Sequence, residues 1–253
     1  MTATPADRPA AAMTGPFELE DRLDTSLHPP LAADDDAARR LALLADVGEG
    51  RSPQLVRLLR PAPTAAFSRR DALLPGFAAA QEVARAHGFD PVVRPVGGRM
   101  APYHADTLVI DVIGRSEDPR HGMTERFELV ADALVEVLGG FGLDARTGEL
   151  PREYCPGKHS VHVMTPGVPP GATKVAGTAQ RQTRRAYLVS ALLVVDGSAP
   201  LRAVTTDVYA ALGLDLDPAT VGAVADHVPG DHRVTVEEVA AALVPALAGR
   251  LEP

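Results

Sequence analysis

Residues 108–113 read LVIDVI, a nearly continuous apolar run interrupted by one aspartate. The run is far too short to cross a bilayer, and no stretch of about eighteen uninterrupted apolar residues occurs anywhere in the chain. A strand with one wet face would alternate apolar and polar side chains, so this pattern predicts a strand buried on both faces. Such a strand needs cover above and below it, which restricts the chain to a layered fold.

The cover is legible in the sequence. Over 124–138, Phe127, Val130, Ala131, Leu134, Val135 and Leu138 recur at the spacing of a helical stripe, and the GGFG that follows stops it. Asp34, Asp35 and Asp36 place negative charge where another helix begins; Ala38, Leu41, Leu44 and Ala45 continue it, and Gly48 is expected to end it. GFAAAQEVARAHG predicts a helix closed by Gly88. Strands are expected at 55–59 and 65–68, then in PVVRP, HSVHV, TKVAGTAQR and RRAYLVSALLVVD, with TPGVPPGA as an exposed loop. Three short helical stretches, around 201–212, 218–226 and 235–248, close the chain. The fold class is α+β, with mixed β-sheets flanked by helices. Neither an internal repeat nor a glycine-rich phosphate fingerprint is present.

Charge and cysteine usage narrow the function classes. A net charge of −8 argues against an extended phosphate-binding surface, so no nucleic-acid partner is expected, and with no transmembrane helix in the hydropathy no membrane partner is expected either. The single cysteine, Cys155, cannot form an internal disulfide or a cysteine metal cluster, which fits a reducing cytoplasm. No metal site is expected. The Ala- and Pro-rich residues 1–16 lack a continuous apolar segment and read as a disordered tail, leaving 17–253 as one domain that is helical from about 200 onward.

Three stretches combine permissive backbone with reactive side chains. In RPVGGRMAPYHAD, Gly97 and Gly98 allow close backbone approach beside Arg94, Arg99 and His104; the pattern fits a turn that presents N–H donors, and equally a tight turn with solvated charges. In YCPGKHSVH, Cys155 sits among Arg152, Lys158 and His159, which would favour the thiolate; a lone cysteine also serves as a small hydrophobe. In KVAGTAQR, Lys174 is either a solvated edge charge or a buried ammonium that polarises an acyl carbonyl, with Gly177 leaving room beside the backbone. Spacing does not choose between these readings.

Taken together, RPVGGRMAPYH, KVAGTAQR and LRAVTTDVYAALGLDLDPATVG make the chain resemble the biotin/lipoate A/B protein ligase family over most of its length from about Asp34. YCPGKHSVHV is similar to the segment of the cysteine-type octanoyl and lipoyl transferases of that family. The Asn-Asp that ATP-dependent ligases tend to carry there is absent. The resemblance implies a class II biotin/lipoate protein ligase-like catalytic domain and transfer of an octanoyl or lipoyl group through a Cys155 thioester. It implies Cys155 and Lys174 as catalytic residues, and Arg94, Gly97, Gly98, Arg99, His104 and Gly177 as acyl- or carbonyl-binding residues. Its partners would be lipoyl domains or the glycine cleavage H protein, with acyl carrier protein a further candidate donor. No cofactor is expected, although the alternative ATP-dependent lipoate ligase would need ATP and Mg. A noncatalytic binder of acylated carriers is the other alternative. Two departures stand out: Asp106 follows His104 one residue later than the family's Asp, and the loop before Lys174 is longer than the usual hairpin.

Overall fold

A computed structural model describes residues 17–251; the expected tail at 1–16 lies outside the described residues. In chain order the elements begin with β1 (Phe17–Arg22), α1 (Ala33–Glu49), β2 (Gln54–Leu59), β3 (Thr64–Phe67), α2 (Phe77–Ala86), β4 (Asp90–Val93) and β5 (Ala101–Tyr103). They continue with β6 (Thr107–Arg115), α3 (Met123–Gly140), β7 (Ala145–Thr147), β8 (Val161–Met164), β9 (Ala172–Gln182), β10 (Ala186–Val194), α4 (Ser198–Leu212) and α5 (Val236–Leu251). A seven-stranded sheet runs β1-β2-β6-β10-β9-β8-β7, and a three-stranded sheet runs β4-β3-β5. Pairings are antiparallel except β1 with β2 and β3 with β4.

The LVIDVI run becomes most of β6 and is buried on both faces. Leu108, Ile110 and Val112 pack with Val189 and Leu193 of β10 against Leu134 and Leu138 of α3 and Leu243 and Leu247 of α5. On the opposite face, Val109 and Leu192 meet the small sheet through Ala65 and Phe67, together with α2 and α4. Farther along, Ile113 and Leu188 lie under Leu44 and Val47 of α1. Each fully buried Leu or Ile side chain contributes about 1.5–3 kcal/mol, so this two-sided core supplies the rigid floor beneath the site.

Two sequence expectations are corrected. Helix α1 does not stop at Gly48: that residue is helical and lets the helix approach β10, where an added Cβ would lie 3.3 Å from the Ala186 Cβ. The end comes at Gly50, whose φ of 73° allows its N–H to bond to Val47 O while the Arg51 N–H bonds to Asp46 O. The helical stretch expected at 218–226 is instead two short 3-10 turns, Pro218–Thr220 and Val224–Asp226, separated by an extended Val221. Val221 forms a parallel bridge to Lys174, and the Gly222 N–H donates to Lys174 O, so the segment serves β9 rather than forming a helix of its own.

Candidate active site

Cys155 lies in the loop between β7 and β8, beneath the turn that joins β4 to β5. Its φ is 42°, in the left-handed region that side chains with a Cβ seldom occupy. Several contacts hold it there. The Cys155 N–H donates to the Tyr209 hydroxyl at 2.7 Å, and that hydroxyl donates to Met100 O at 3.0 Å, so α4 ties the Cys155 loop to the start of β5. Burial pushes the Tyr209 phenol well above its ordinary range, which keeps it a donor.

The sulfur accepts from Arg94 Nη2 at 3.2 Å and from the Arg99 N–H at 3.3 Å. Burial alone would raise the thiol pKa. The charges of Arg94 and Lys174, with the Arg99 N–H, outweigh it and bring Cys155 below the usual thiol value. Arg94 also donates to Arg99 O at 2.8 Å, which fixes the guanidinium across the turn. The Arg99 side chain turns away to the buried Asp71, at 3.2 Å, so Arg99 reaches the sulfur through its backbone. Gly98 makes this approach possible: its φ is 101°, and a Cβ there would sit 2.5 Å from Cys155 Sγ and 2.7 Å from Arg94 Nη2.

Lys174 is fully buried on β9, which excludes the solvated edge charge. Its ammonium donates to Glu153 Oε1 at 3.1 Å, Tyr154 O at 2.8 Å and Cys155 O at 2.9 Å. Those three acceptors use its three protons. Of the two sequence readings the buried ammonium holds, and in this structure Nζ grips the loop beneath the sulfur. Glu153, also buried, accepts from the Gly157 N–H and Ser160 Oγ through the same oxygen and from the Leu150 N–H through the other, so it organises the loop on both sides of Cys155.

A narrow cavity of ≈ 30 Å³ runs from Cys155 over the sheet, lined among others by Arg94, Ala101, Val109, Gly177, Ala179 and Leu192. Gly177 lies beside the Lys174 side chain and keeps the wall low, since a Cβ there would come within 3.4 Å of Cε. Of the expected binding residues, Arg94, Gly98, Gly177 and the Arg99 backbone converge here. Gly97 faces open space, with nothing within 4 Å of an added Cβ. His104 is not brought to the cavity: its Nε2 pairs with Gly197 O at 3.0 Å and its Nδ1 accepts from the Asp106 N–H at 3.1 Å, which pins the turn into α4. Arg181 donates to Pro95 O at 2.8 Å and so supports the Arg94–Gly98 turn, while Arg184 and Arg185 are exposed.

Sequence reasoning missed Glu153 and Tyr209. The first had a usable signal, because a buried lysine requires a buried counter-charge; the second had none within reach of the motif. Among the described residues no group of three His, Cys, Asp or Glu side chains could hold a metal ion, and no helix is long and apolar enough to cross a membrane.

A family model described as the lipoyl protein ligase A/B catalytic domain matches residues 34–248. An octanoyl-GcvH:protein N-octanoyltransferase of Geobacillus kaustophilus is 28% identical over 162 residues, covering 64% of this chain and 55% of the relative. A protein of the same name from Exiguobacterium sibiricum is 32% identical over 153 residues, covering 58% of this chain and 52% of the relative. The chain spans about half the length of these curated relatives. The crystal structure of a lipoate-protein ligase A bound with ATP superposes with a TM-score of 0.68 at 20% identity, covering 93% of this chain and 85% of the other, which establishes a shared fold.

Proposed function

The chain belongs to the lipoyl protein ligase A/B catalytic domain family, and on that premise we propose that it moves an octanoyl or lipoyl group from a carrier protein to a lipoyl-domain lysine through a thioester on Cys155. The observation that carries the reading is the sulfur itself, held over the cavity with Arg94 Nη2 at 3.2 Å and the Arg99 N–H at 3.3 Å. The name of the curated relatives supports an octanoylated H protein as donor. Acyl carrier protein remains the other candidate donor. A reducing cytoplasm would keep the lone thiol available.

In the first step the ionised sulfur adds to the acyl carbon, and the carrier leaves with the proton that the thiol gave up. In the second, a neutral lysine amine adds to the same carbon, the carbon–sulfur bond breaks, and a proton from the amine returns to the sulfur. ATP is not consumed. As negative charge passes from sulfur to carbonyl oxygen, Arg94 Nη2 and the Arg99 N–H are the donors at hand to follow it. Lys174 is a positioning residue in this scheme: it holds the Cys155 carbonyl and adds positive potential beneath the sulfur.

Intact-mass measurement after incubation with an octanoylated carrier, without ATP, tests the reading. One added octanoyl group, labile to hydroxylamine and lost in Cys155→Ala, is expected. If Cys155→Ala modifies a lipoyl domain at the wild-type rate once ATP and Mg are supplied, an ATP-dependent ligase replaces the transferase. Neither adduct nor modification would leave a binder of acylated carriers.

A further inference from the structure

The cavity that begins at Cys155 has a charged inner end. The sheet register orders its floor: Val109, Leu192 and Gly177 are direct cross-strand neighbours, as are Asp111, Ser190 and Ala179. The second row lies two residues along each strand, about 7 Å away on the same face. Gly177 abuts the Lys174 side chain, whose Nζ holds Cys155 O, so the first row marks the thiol end. Arg40 of α1 also lines the cavity, and its Nε lies 3.2 Å from Asp111 Oδ2, so the second row marks the inner end.

Arg40 is 6% exposed, and its Nη2 is buried without a hydrogen-bond acceptor. Arg40 and Arg57 balance Asp36 and Asp111 in one buried cluster, with Arg57 donating to both carboxylates at 3.0 and 2.9 Å. The cluster therefore calls for no further anion. What is missing is an acceptor for the Nη2 group at the end of a channel lined by Val96, Val109 and Leu192 as well as by Tyr103 and Ser190, and an alkyl chain pressed against that nitrogen would desolvate it with nothing in return.

Resting on the acyl-site reading above, we propose that Arg40 is the specificity-determining residue at the inner end of the site. It selects medium-length chains that stop short of its guanidinium or offer it a neutral acceptor, and it rejects longer alkyl chains.

Calorimetric titration of the whole protein with the N-methyl amides of hexanoic, octanoic, decanoic and dodecanoic acids tests this without turnover. Affinity is expected to rise to octanoyl and to fall at least tenfold by dodecanoyl. In Arg40→Met/Asp36→Asn, which keeps net charge balanced and retains an acceptor for Arg57, the octanoyl-to-dodecanoyl affinity ratio should drop at least tenfold. A wild-type comparison covers the case in which that variant does not melt cooperatively: 8-hydroxyoctanoyl amide should bind at least as tightly as the isosteric nonanoyl amide. Affinity that climbs through dodecanoyl in the wild type, an unchanged ratio in a folded variant, or a hydroxyl that weakens binding tenfold overturns the assignment. A Cys155 adduct with no length cut-off removes only the role of Arg40, whereas a cut-off that follows Arg40 with no adduct removes only the transferase.

Discussion

Replacing Gly98 by alanine places a methyl group 2.5 Å from Cys155 Sγ and 2.7 Å from Arg94 Nη2. Ordinary contact begins near 3.5 Å, so the sulfur or the guanidinium must retreat by about 1 Å. The Cys155 main chain cannot follow, because Tyr209 and Lys174 hold its N–H and carbonyl. The retreat takes the 3.2 Å contact to Arg94 beyond hydrogen-bonding range. A bond to a charged group contributes about 1.5–3 kcal/mol. Since about 1.4 kcal/mol separates protonation states by a factor of ten, acyl transfer at neutral pH should fall on the order of 10- to 100-fold. The left-handed φ of 101° imposes a further stability cost of roughly 1–2 kcal/mol on alanine.

The assay is the pH dependence of iodoacetamide labelling, which reports one site because the chain has one cysteine. Below the thiol pKa the rate follows the thiolate fraction and rises with pH; above it the rate levels off. The wild type should reach its plateau at lower pH than a free cysteine, and Gly98→Ala should shift the curve upward, so that its deficit shrinks as pH rises. Gly97→Ala is the control, since its Cβ would meet nothing within 4 Å. Coincident curves and equal transfer rates for wild type and Gly98→Ala would refute the argument that the glycine admits the donors.

Lys174→Met leaves Glu153 buried and uncompensated and should destabilise the fold by about 3–5 kcal/mol in urea titration; Lys174→Met/Glu153→Gln should cost less than the two single changes added, and strict additivity would contradict the coupling. Lys174→Arg should not restore activity, because a planar fork does not fit a fully enclosed site that is shaped for a compact ammonium. Tyr209→Phe removes the partner of both the Cys155 N–H and Met100 O; a loss of about 1–3 kcal/mol with slowed transfer is expected, checked by melting and by acyl-enzyme mass. Charge reversal at the exposed Arg184 and Arg185 should lower kcat/KM for an acidic protein acceptor and flatten its salt dependence, while acylation by a small octanoyl thioester stays the same.

The parts of the fold visible in the sequence are those where one physical demand dominates. Burial on both faces wrote itself into β6 and β10 as apolar runs, and helical cover wrote itself into α3 as a stripe. β1 was not visible because FELEDR is an edge strand with charged, largely exposed residues, and β5 is a three-residue strand interrupted by Pro102 within what reads as a turn. Gly48 and Gly50 carry the same letter, but close packing against β10 keeps one in the helix and a left-handed φ ends it at the other. In the site, Cys155, Arg94, Gly98, Lys174 and Gly177 were legible because each lies in a short motif. Tyr209 was not, since it lies 54 residues beyond Cys155 on another layer. Arg99 was legible as a binding residue but not as a backbone donor, because sequence cannot tell a backbone donor from the group that hangs on it.

Among the described residues, Cys155 and Arg152 are the non-glycine positions with positive φ. The consequence reaches how this position can change. Glycine at 155 would release the left-handed strain, roughly 1–2 kcal/mol, and leave the Lys174, Glu153 and Tyr209 contacts intact, since each is made to backbone or to neighbouring side chains. Fold stability alone would therefore favour glycine here, and on the proposed thioester reading the cysteine at this bend sets the demand of chemistry against the demand of stability.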